Sequence, residues 1–299
     1  MDRRVDIAFP LKKASYARLG GIVPIKIEMY SIIGCYKTIQ NINNLQYDYF
    51  VYGLGSNLLF LDHYEKTIAL HLKMKEFKII EDILIVEAGM PLARLAKIMT
   101  ELGYLHFAGL VDIPGEIGGS LYNNAGAFHD EIADSLIDVL CMEDDGELII
   151  YKKDELDFSY RHSRFQKEDL GIILKARFRL EKGNKKEIIK VRNENIKYRL
   201  THQPHGIRTF GSTFKNPKEG SAACFIENAG LKGYQKGNIK ISDRHANFLE
   251  ILGDITSEEV MNFIYFIQWI VYNKYTILLE IEIEIKDLKK HGRGTHHQR

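Results

Sequence analysis

The chain has 299 residues, of which 45% are hydrophobic and 27% are charged, and its formal net charge is +1. This composition and length are typical of a soluble globular protein of about two domains. A near-neutral chain without a basic aromatic surface is not expected to bind nucleic acid.

Local patterns exclude further classes of protein. The first residues, MDRRVDIAFPLKK, lack the apolar core of a secretory signal. The longest apolar stretch, 263–272, is interrupted by Gln268 and is too short to span a bilayer, so we expect no membrane partner. Because Cys35, Cys141 and Cys224 form no C-x-x-C pair, we expect no zinc or iron–sulfur site and a reducing, cytoplasmic location.

The sequence of the N-terminal half predicts strands interleaved with two helices. Pro91 suits a first helical turn and Gly103 a C-terminal stop, so a helix is expected over 91–102. The turn residues at 144–146, Asp-Asp-Gly, predict a hairpin. The other helix is expected over 31–45, and the strands within 14–30 and over 47–52, 67–72, 82–88, 136–142, 147–151 and 170–180.

The C-terminal half begins after a polar, charged segment, 181–205, where we expect a domain boundary. Beyond it, 222–229 is typical of a short helix. Thr256 and Glu259 have the spacing of a capping box for a helix over 257–273. The apolar stripe of that helix is predicted to be Val260, Phe263, Ile264, Ile267 and Val271.

The last predicted strand starts at Leu279 and alternates aliphatic residues with glutamates. Side chains alternate along a strand, so Glu280, Glu282 and Glu284 share one face. One interpretation is an edge strand with a solvated acidic face. If the face lines a cleft, the pKa of Glu282 rises most, since it has a like charge on each side and is the most desolvated. The basic tail, 287–299, is expected to be disordered rather than to bind a metal.

Two glycine-rich segments favour a phosphate-bearing ligand. The first, 53–57, follows a predicted strand, and the second, 109–131, holds five glycines and Pro114. Glycine lets backbone N–H groups approach a ligand closely, and successive N–H groups form an anion-binding concavity. The first segment lacks the third glycine of G-x-G-x-x-G and precedes a strand, which excludes a nicotinamide-binding Rossmann unit. Two such loops predict a ligand with an extended pyrophosphate, held from two sides.

Six motifs in one order carry a resemblance to a known family. They are G-L-G-S-N-L-L, I-P-G-E-I-G-G-S-L-Y-N-N-A-G-A-F, Y-R-H-S-R-F, G-S-T-F-K-N-P, the pair A-G-L-K-G-Y and H-A-N-F, and L-E-I-E-I. Together they resemble UDP-N-acetylenolpyruvoylglucosamine reductase, from about Gly20 to Glu282. The length resembles the shorter, second type of this enzyme, which lacks an inserted substrate-capping subdomain.

The resemblance implies an α+β fold. Residues 15–182 would form an FAD-binding domain of the vanillyl-alcohol-oxidase (PCMH) type, with two subdomains that split near residue 65, and 200–286 would form an α+β substrate-binding domain. It implies a cytoplasmic monomer that uses NADPH and FAD to reduce UDP-N-acetylglucosamine enolpyruvate to UDP-N-acetylmuramate for peptidoglycan synthesis. The flavin would pass a hydride to the substrate, and a proton would then add at the α carbon.

The resemblance also implies catalytic and binding residues. Arg161 would stabilise charge on the substrate carboxylate, Glu282 would stay protonated and donate to that charge, and Ser212 would give the proton. The FAD-binding residues implied are Gly53, Leu54, Gly55, Ser56, Asn57, Leu58, Ile113, Pro114, Gly115, Gly118, Gly119, Ser120, Asn124, Gly126 and Ala127. The substrate-binding residues implied are Lys215, Asn216, Lys232, Tyr234, Ser242, His245 and Asn247.

Simpler interpretations stay open for single residues. Ser212 fits a turn, Arg161 fits a surface ion pair, and His245 fits a structural histidine. Two other functions also stay open: an FAD-dependent oxidase of the same fold with another substrate, and a flavin-binding module without activity. The motifs G-S-T-F-K-N-P and A-G-L-K-G-Y argue against the first, and the three catalytic candidates together argue against the second.

The sequence departs from the family pattern at three places. Ile-Val-Pro follows the early Gly20-Gly21, where a small residue and an acid are usual. Asn123 stands where methionine is common, and His129-Asp130 replaces a usual glycine. These departures concern the contacts to the flavin and leave the catalytic candidates intact.

Overall fold

Three β-sheets organise the protein, and helices pack on each. The computed structural model describes residues 2–45 and 47–286, so the predicted disorder of 287–299 lies outside the described residues. The helices are α1 (Ile32–Leu45), α2 (Leu92–Glu101), α3 (Ile117–Tyr122), α4 (Lys185–His202), α5 (Ala222–Asn228) and α6 (Ser257–Tyr275). The strands are β1 (Arg3–Pro10), β2 (Ile22–Met29), β3 (Asp48–Tyr52), β4 (Leu58–Phe60), β5 (Thr67–Leu72), β6 (Phe77–Ile80), β7 (Ile83–Glu87), β8 (Gly126–Ala127), β9 (Asp130–Glu131), β10 (Leu136–Met142), β11 (Leu148–Lys152), β12 (Ile172–Arg179), β13 (Arg208–Ser212), β14 (Gln235–Lys236), β15 (Ile239–Ile241), β16 (Phe248–Ile251) and β17 (Glu284–Lys286).

The first sheet is mixed and has the strand order β1-β2-β5-β3. β1 is antiparallel to β2, whereas β2 and β3 both run parallel to β5. Helix α1 connects β2 to β3 and packs Cys35, Ile39 and Ile42 against Ile68 and Leu70 of β5. This crossover sets the direction of β3 and therefore the end of the sheet at which the first glycine segment lies.

The limits of this sheet differ from the predicted limits of the FAD-binding domain. β1 precedes residue 15, and the inner strand β5 follows the predicted split near residue 65. Because β5 pairs with both β2 and β3, the sheet ends only after Leu72.

The second sheet is antiparallel and has the order β11-β10-β12-β7-β6. The predicted hairpin around 144–146 joins β10 to β11 and is confirmed. Helix α2 is confirmed, although it begins at Leu92, one residue after the predicted start at Pro91, and it buries Leu95 and Met99 in a core that also contains Val139 and Phe178.

The third sheet is antiparallel, has the order β13-β16-β15-β14 and packs against α5 and α6. The predicted capping box starts α6. The Glu259 N–H donates to Thr256 Oγ1 over 3.1 Å, and the Thr256 N–H donates to Glu259 Oε2 over 2.8 Å. All five predicted stripe residues of α6 are buried, so the prediction of this helix is confirmed.

Two helices were not recognised in the sequence. The segment 181–205, at which a domain boundary is expected, contains the 18-residue helix α4, and α3 lies within the second glycine segment. The apolar residues of α4 do not follow the periodicity by which helices are recognised, and Ile188 is its one buried residue.

The last strand is also shorter than predicted, because a continuous ladder forms only over Glu284–Lys286, where β17 runs parallel to β4. Before it, the chain is held by separate bonds to the third sheet. The Lys215 N–H donates to Glu280 O over 2.8 Å, and the Glu282 N–H donates to Thr213 O over 2.9 Å. The chain therefore passes from the third sheet to the first glycine segment within a few residues.

Within the described ranges, the helices lack the combination of length and apolar character that crossing a membrane requires.

Candidate active site

One cavity of about 1030 Å³ lies where the three sheets meet. Its wall contains Arg161, Ser212 and Glu282, the three predicted catalytic residues, which are far apart in the sequence. Fourteen of the fifteen predicted FAD-binding residues also line it: Gly53, Leu54, Gly55, Ser56, Asn57, Leu58, Ile113, Pro114, Gly115, Gly118, Gly119, Ser120, Gly126 and Ala127.

The first glycine segment is held tightly against the N-terminal loop. Gly55 has φ +65°, and a Cβ there would lie 2.0 Å from the carbonyl oxygen of Ala14, so only glycine fits. The Ser56 hydroxyl donates to Pro114 O over 2.6 Å and thereby joins the two glycine segments.

The second glycine segment has an open side toward the cavity. A Cβ at Gly119 would meet no atom within 4 Å, although Gly119 lies in helix α3. The backbone at the start of α3 is held in place, since the N–H groups of Ile117 and Gly118 donate to Met90 O and Ala88 O, each over 2.9 Å. The two segments thus form a rigid, glycine-walled groove that fits an elongated anionic ligand.

A buried contact between a histidine and a glutamate supports this groove and has no counterpart in the sequence-based prediction. His71 Nε2 lies 3.1 Å from both carboxylate oxygens of Glu116, and both side chains are buried. Glu116 also lines the cavity, and its Oε2 is the nearest atom to a Cβ built on Gly53, at 3.1 Å.

Asn124, the fifteenth predicted FAD-binding residue, is fully buried and is absent from the cavity wall, where its neighbour Asn123 lies. The Asn124 amide donates to Glu131 Oε2 over 2.7 Å and to Ser159 O over 2.9 Å. The side chain therefore fixes the loop that carries Arg161.

Arg161 sits in a tight turn with strained backbone. Ser159 and His162 exchange backbone hydrogen bonds, and Arg161 has φ +51°, a left-handed conformation that is costly for a non-glycine residue. Its guanidinium donates from Nε to Glu282 Oε1 over 2.9 Å and from Nη2 to Gly126 O over 2.6 Å. The surrounding structure thus determines the position of this cation.

Glu282 differs from its two neighbouring glutamates in environment. Its side chain is 17% exposed and bound to Arg161, whereas that of Glu280 is 71% exposed and paired with Lys215. Glu284 lines the cavity too, but it is paired with Lys286. The solvated-face interpretation is therefore wrong for Glu282.

Burial raises the pKa of Glu282, as predicted, and the adjacent Arg161 opposes this rise without cancelling it. The predicted contribution of like charges is not among the causes of the rise, because the flanking glutamates have their own lysine partners.

Ser212 reaches the cavity through an irregular strand end. β13 pairs with β16 at Thr209↔Glu250 and again at Ser212↔Phe248, and between these pairs two residues of β13 oppose one residue of β16. Gly211, with φ +78°, lies in this bulge. A bulge redirects side chains, and here it brings Ser212 onto the cavity wall.

The predicted substrate-binding residues lie around the third sheet rather than on the cavity wall. Lys215 is paired with Glu280 and Lys232 with Glu227. Asn216 Oδ1 accepts from the Ala222 N–H at the start of α5.

The other four predicted substrate-binding residues pack within the third sheet and its helices. Tyr234 stacks on Phe263 at a ring distance of 6.0 Å. Burial lowers the pKa of His245. Ser242 is fully buried, and Asn247 binds both backbone groups of Phe214 through its amide. All seven assignments stay predictions.

Two further features lie outside the predictions. His106, Asp130 and Asp134 bring ligand atoms within 4.8 Å of one another near the surface, but Asp130 already accepts the Gly109 N–H and Asp134 the Glu131 N–H. Arg199, in the last turn of α4, lines the cavity and was missed because its segment was taken only as the place of a domain boundary.

Comparisons with known proteins agree with this geometry. The model of the UDP-N-acetylenolpyruvoylglucosamine reductase C-terminal domain matches residues 203–286, and that of an FAD binding domain matches 36–151. A UDP-N-acetylenolpyruvoylglucosamine reductase of Bacillus cereus is 32% identical over 284 residues, covering 94% of each chain. The chain belongs to the UDP-N-acetylenolpyruvoylglucosamine reductase family.

Other members of this reductase family are similar over nearly the whole chain. The reductase of Caldicellulosiruptor saccharolyticus is 36% identical over 278 residues, with 92% of this chain and 89% of that protein covered. The crystal structure of the reductase from Thermus caldophilus superposes with a TM-score of 0.81 at 28% identity, covering 95% of this chain and 98% of that one. The protein thus has the α+β fold of this family, with an FAD-binding domain followed by the family's C-terminal domain.

Gly119 provides a direct test of the groove as the flavin site. We expect Gly119→Leu to purify with far less FAD, because its side chain extends into the open groove. Helix α3 tolerates leucine, so the protein should remain folded. The flavin-to-protein absorbance ratio measures the loss, and circular dichroism checks the fold. Gly119→Ala, which adds one methyl group, should retain more FAD; an unchanged flavin content in Gly119→Leu would contradict the assignment.

Proposed function

We propose that this protein reduces UDP-N-acetylglucosamine enolpyruvate to UDP-N-acetylmuramate, with FAD in the cavity and NADPH as the reductant. The observation that carries the proposal is the convergence of Arg161, Ser212 and Glu282 on the cavity that both glycine segments line. The names of the relatives support the same substrate. NADPH as the reductant, a cytoplasmic location and a monomeric state rest on the family resemblance and belong to the proposal.

The proposal assigns the FAD to the glycine-walled groove, with 53–58 and 113–120 as the principal contacts. When bound, the flavin supplies a carrier that takes a hydride from NADPH and gives it to the enolpyruvyl group. The residues of the second domain, 200–286, contribute Ser212 and Glu282 to the same cavity.

Arg161 is suited to stabilise negative charge on the substrate carboxylate. A guanidinium has five N–H donors, and the contacts to Glu282, Gly126 and Asn124 use three of them. The remaining N–H groups on Nη1 and Nη2 are available to a carboxylate. Since the cation is held in place before the substrate binds, no reorganisation is needed as charge develops.

Glu282 is suited to act as a protonated acid. Its raised pKa favours the neutral carboxylic acid at a higher pH than an exposed glutamate allows. A neutral acid donates a hydrogen bond to an enolate-like oxygen, whereas a carboxylate repels it. Ser212, on the same wall, is the proposed donor of the proton to the α carbon.

The proposed reaction can be tested in two steps on the purified flavoprotein. Under anaerobic conditions NADPH should bleach the flavin absorbance, and UDP-N-acetylglucosamine enolpyruvate should restore it with formation of UDP-N-acetylmuramate. Mass spectrometry identifies the product. Bleaching without recovery by this substrate would reject the proposed function and favour a flavin enzyme of another specificity.

The three glutamates of the 280–284 segment form a matched series. We expect Glu282→Gln to slow the substrate half-reaction by about 10²–10³-fold, since an amide N–H is a weaker hydrogen-bond donor to the developing negative charge than the O–H of a carboxylic acid. Glu280→Gln and Glu284→Gln should have much smaller effects. For the unmodified protein the rate should fall as the pH rises through the raised pKa of Glu282, because the protonated form is lost. Equal effects of all three changes would reject this role.

Ser212 can be tested by separating the two half-reactions. Ser212→Ala should leave flavin reduction by NADPH nearly intact, because no proton reaches the α carbon in that step. It should slow flavin reoxidation by the enolpyruvyl substrate by at least about 10²-fold, the typical contribution of positioned proton transfer. Stopped-flow absorbance follows each half separately. Equal slowing of both halves, or unchanged reoxidation, would show that Ser212 is not the proton donor.

A further inference from the structure

A second arginine on the cavity wall lacks the partners that Arg161 has. Arg199 lies in the last turn of α4, and its Nε atom is buried without a hydrogen-bond partner among the described residues. Its closest aromatic contact is Phe128, whose ring centre is 5.3 Å from the guanidinium carbon. Burial lowers the pKa of Arg199, and the charge of Asp112 opposes this effect.

An unsatisfied, partly buried guanidinium is unfavourable unless an anion compensates for its lost hydration. The aromatic contact and the position at a helix C-terminus stabilise the positive charge in part. Neither provides an acceptor for the Nε–H. The side chain faces a cavity, so the missing acceptor is expected from a ligand.

Arg161 and Arg199 both line the same cavity. The positive charge of Arg161 is close enough to contribute to the lowered pKa of Arg199. Three N–H groups of Arg161 already bind Glu282 and two carbonyl groups, which leaves few for a second anion. A substrate whose carboxylate binds Arg161 carries its diphosphate across one sugar ring, and a guanidinium fork is well suited to phosphate oxygens.

We propose that Arg199 binds the diphosphate of the nucleotide ligands that enter the cavity after FAD. The proposal rests on the function proposed above, since both NADPH and the sugar nucleotide carry a diphosphate. The Nε–H and one terminal N–H of Arg199 donate to phosphate oxygens. Arg199 is therefore a binding residue, whose loss raises ligand dissociation constants more than it lowers the limiting rates.

Arg199→Met and Arg199→Lys test this role, with Arg192→Met as the control. Arg192 lies on the same helix but contacts Thr100 and Glu101 outside the cavity wall. Stopped-flow absorbance gives the apparent dissociation constants of NADPH and of the enolpyruvyl substrate. Titration with inorganic pyrophosphate, followed by the flavin difference spectrum, gives a readout that does not depend on turnover.

We expect Arg199→Met to weaken binding of pyrophosphate and of at least one nucleotide by about 10- to 100-fold, with nearly unchanged limiting rates. The affinity of Arg199→Lys should lie between those of the unmodified protein and Arg199→Met, since lysine keeps the charge but lacks the paired N–H donors of a guanidinium. Arg192→Met should bind normally, and all variants should retain FAD. A rise in the dissociation constant of NADPH alone, of the enolpyruvyl substrate alone or of both identifies which diphosphate Arg199 binds.

Unchanged dissociation constants of pyrophosphate, NADPH and the enolpyruvyl substrate in Arg199→Met would overturn the proposal. Loss of FAD from Arg199→Met but not from Arg192→Met would also overturn it, because the anion would then belong to the flavin. Failure of the unmodified protein to turn over the enolpyruvyl substrate would reject the proposed function instead. The pyrophosphate titration would still test Arg199 in that case.

Discussion

The candidate site depends on the contact between Arg161 and Glu282, because it joins parts of the chain that are far apart in sequence. Arg161 comes from a strained turn beside the second sheet, and Glu282 from the segment that crosses from the third sheet to β4. Burying such a pair is favourable only when its remaining hydrogen bonds are satisfied. The carbonyl groups of Gly126 and Asn124 accept hydrogen bonds from two further N–H groups of Arg161. The same pair leaves one acid with a raised pKa beside one fixed cation, which is the combination that charge development on a carboxylate requires.

The sequence predicts those parts of the fold that local chemistry determines. The capping box and apolar stripe of α6 were recognisable because both follow from spacing along one helix. The glycine segments were recognisable because Gly55 tolerates no side chain. Helix α4 was not, since its apolar residues do not gather on one face of the helix, and Arg199 was missed with it. The short length of β17 and the inward orientation of Asn124 depend on contacts with residues distant in sequence, which periodicity does not describe.

The departures from the family pattern have physical counterparts in the structure. Phe128 and His129 have φ values of +52° and +71°, at the point where the family usually has glycine. Side chains are strained in this conformation, and the Asp130 carboxylate holds the loop by accepting the Gly109 N–H over 2.6 Å. Asn123, in place of the usual methionine, adds an amide to the cavity wall, where its Oδ1 accepts from Gln166. The groove is thus kept, although its side-chain lining differs.

The pairing of β17 with β4 also determines when the cavity can form. Glu284 of β17 pairs with Leu58 of β4, and Glu282, two residues earlier, lies on the cavity wall. The wall is therefore complete only when these two strands, which are separated by most of the chain, come together. Contacts between residues so distant in sequence form late, because the chain entropy of closing the loop must be overcome first. During synthesis the two glycine segments therefore leave the ribosome well before the residues that complete the site. The FAD-binding part must remain folded, with its groove open to water, until the last strand arrives.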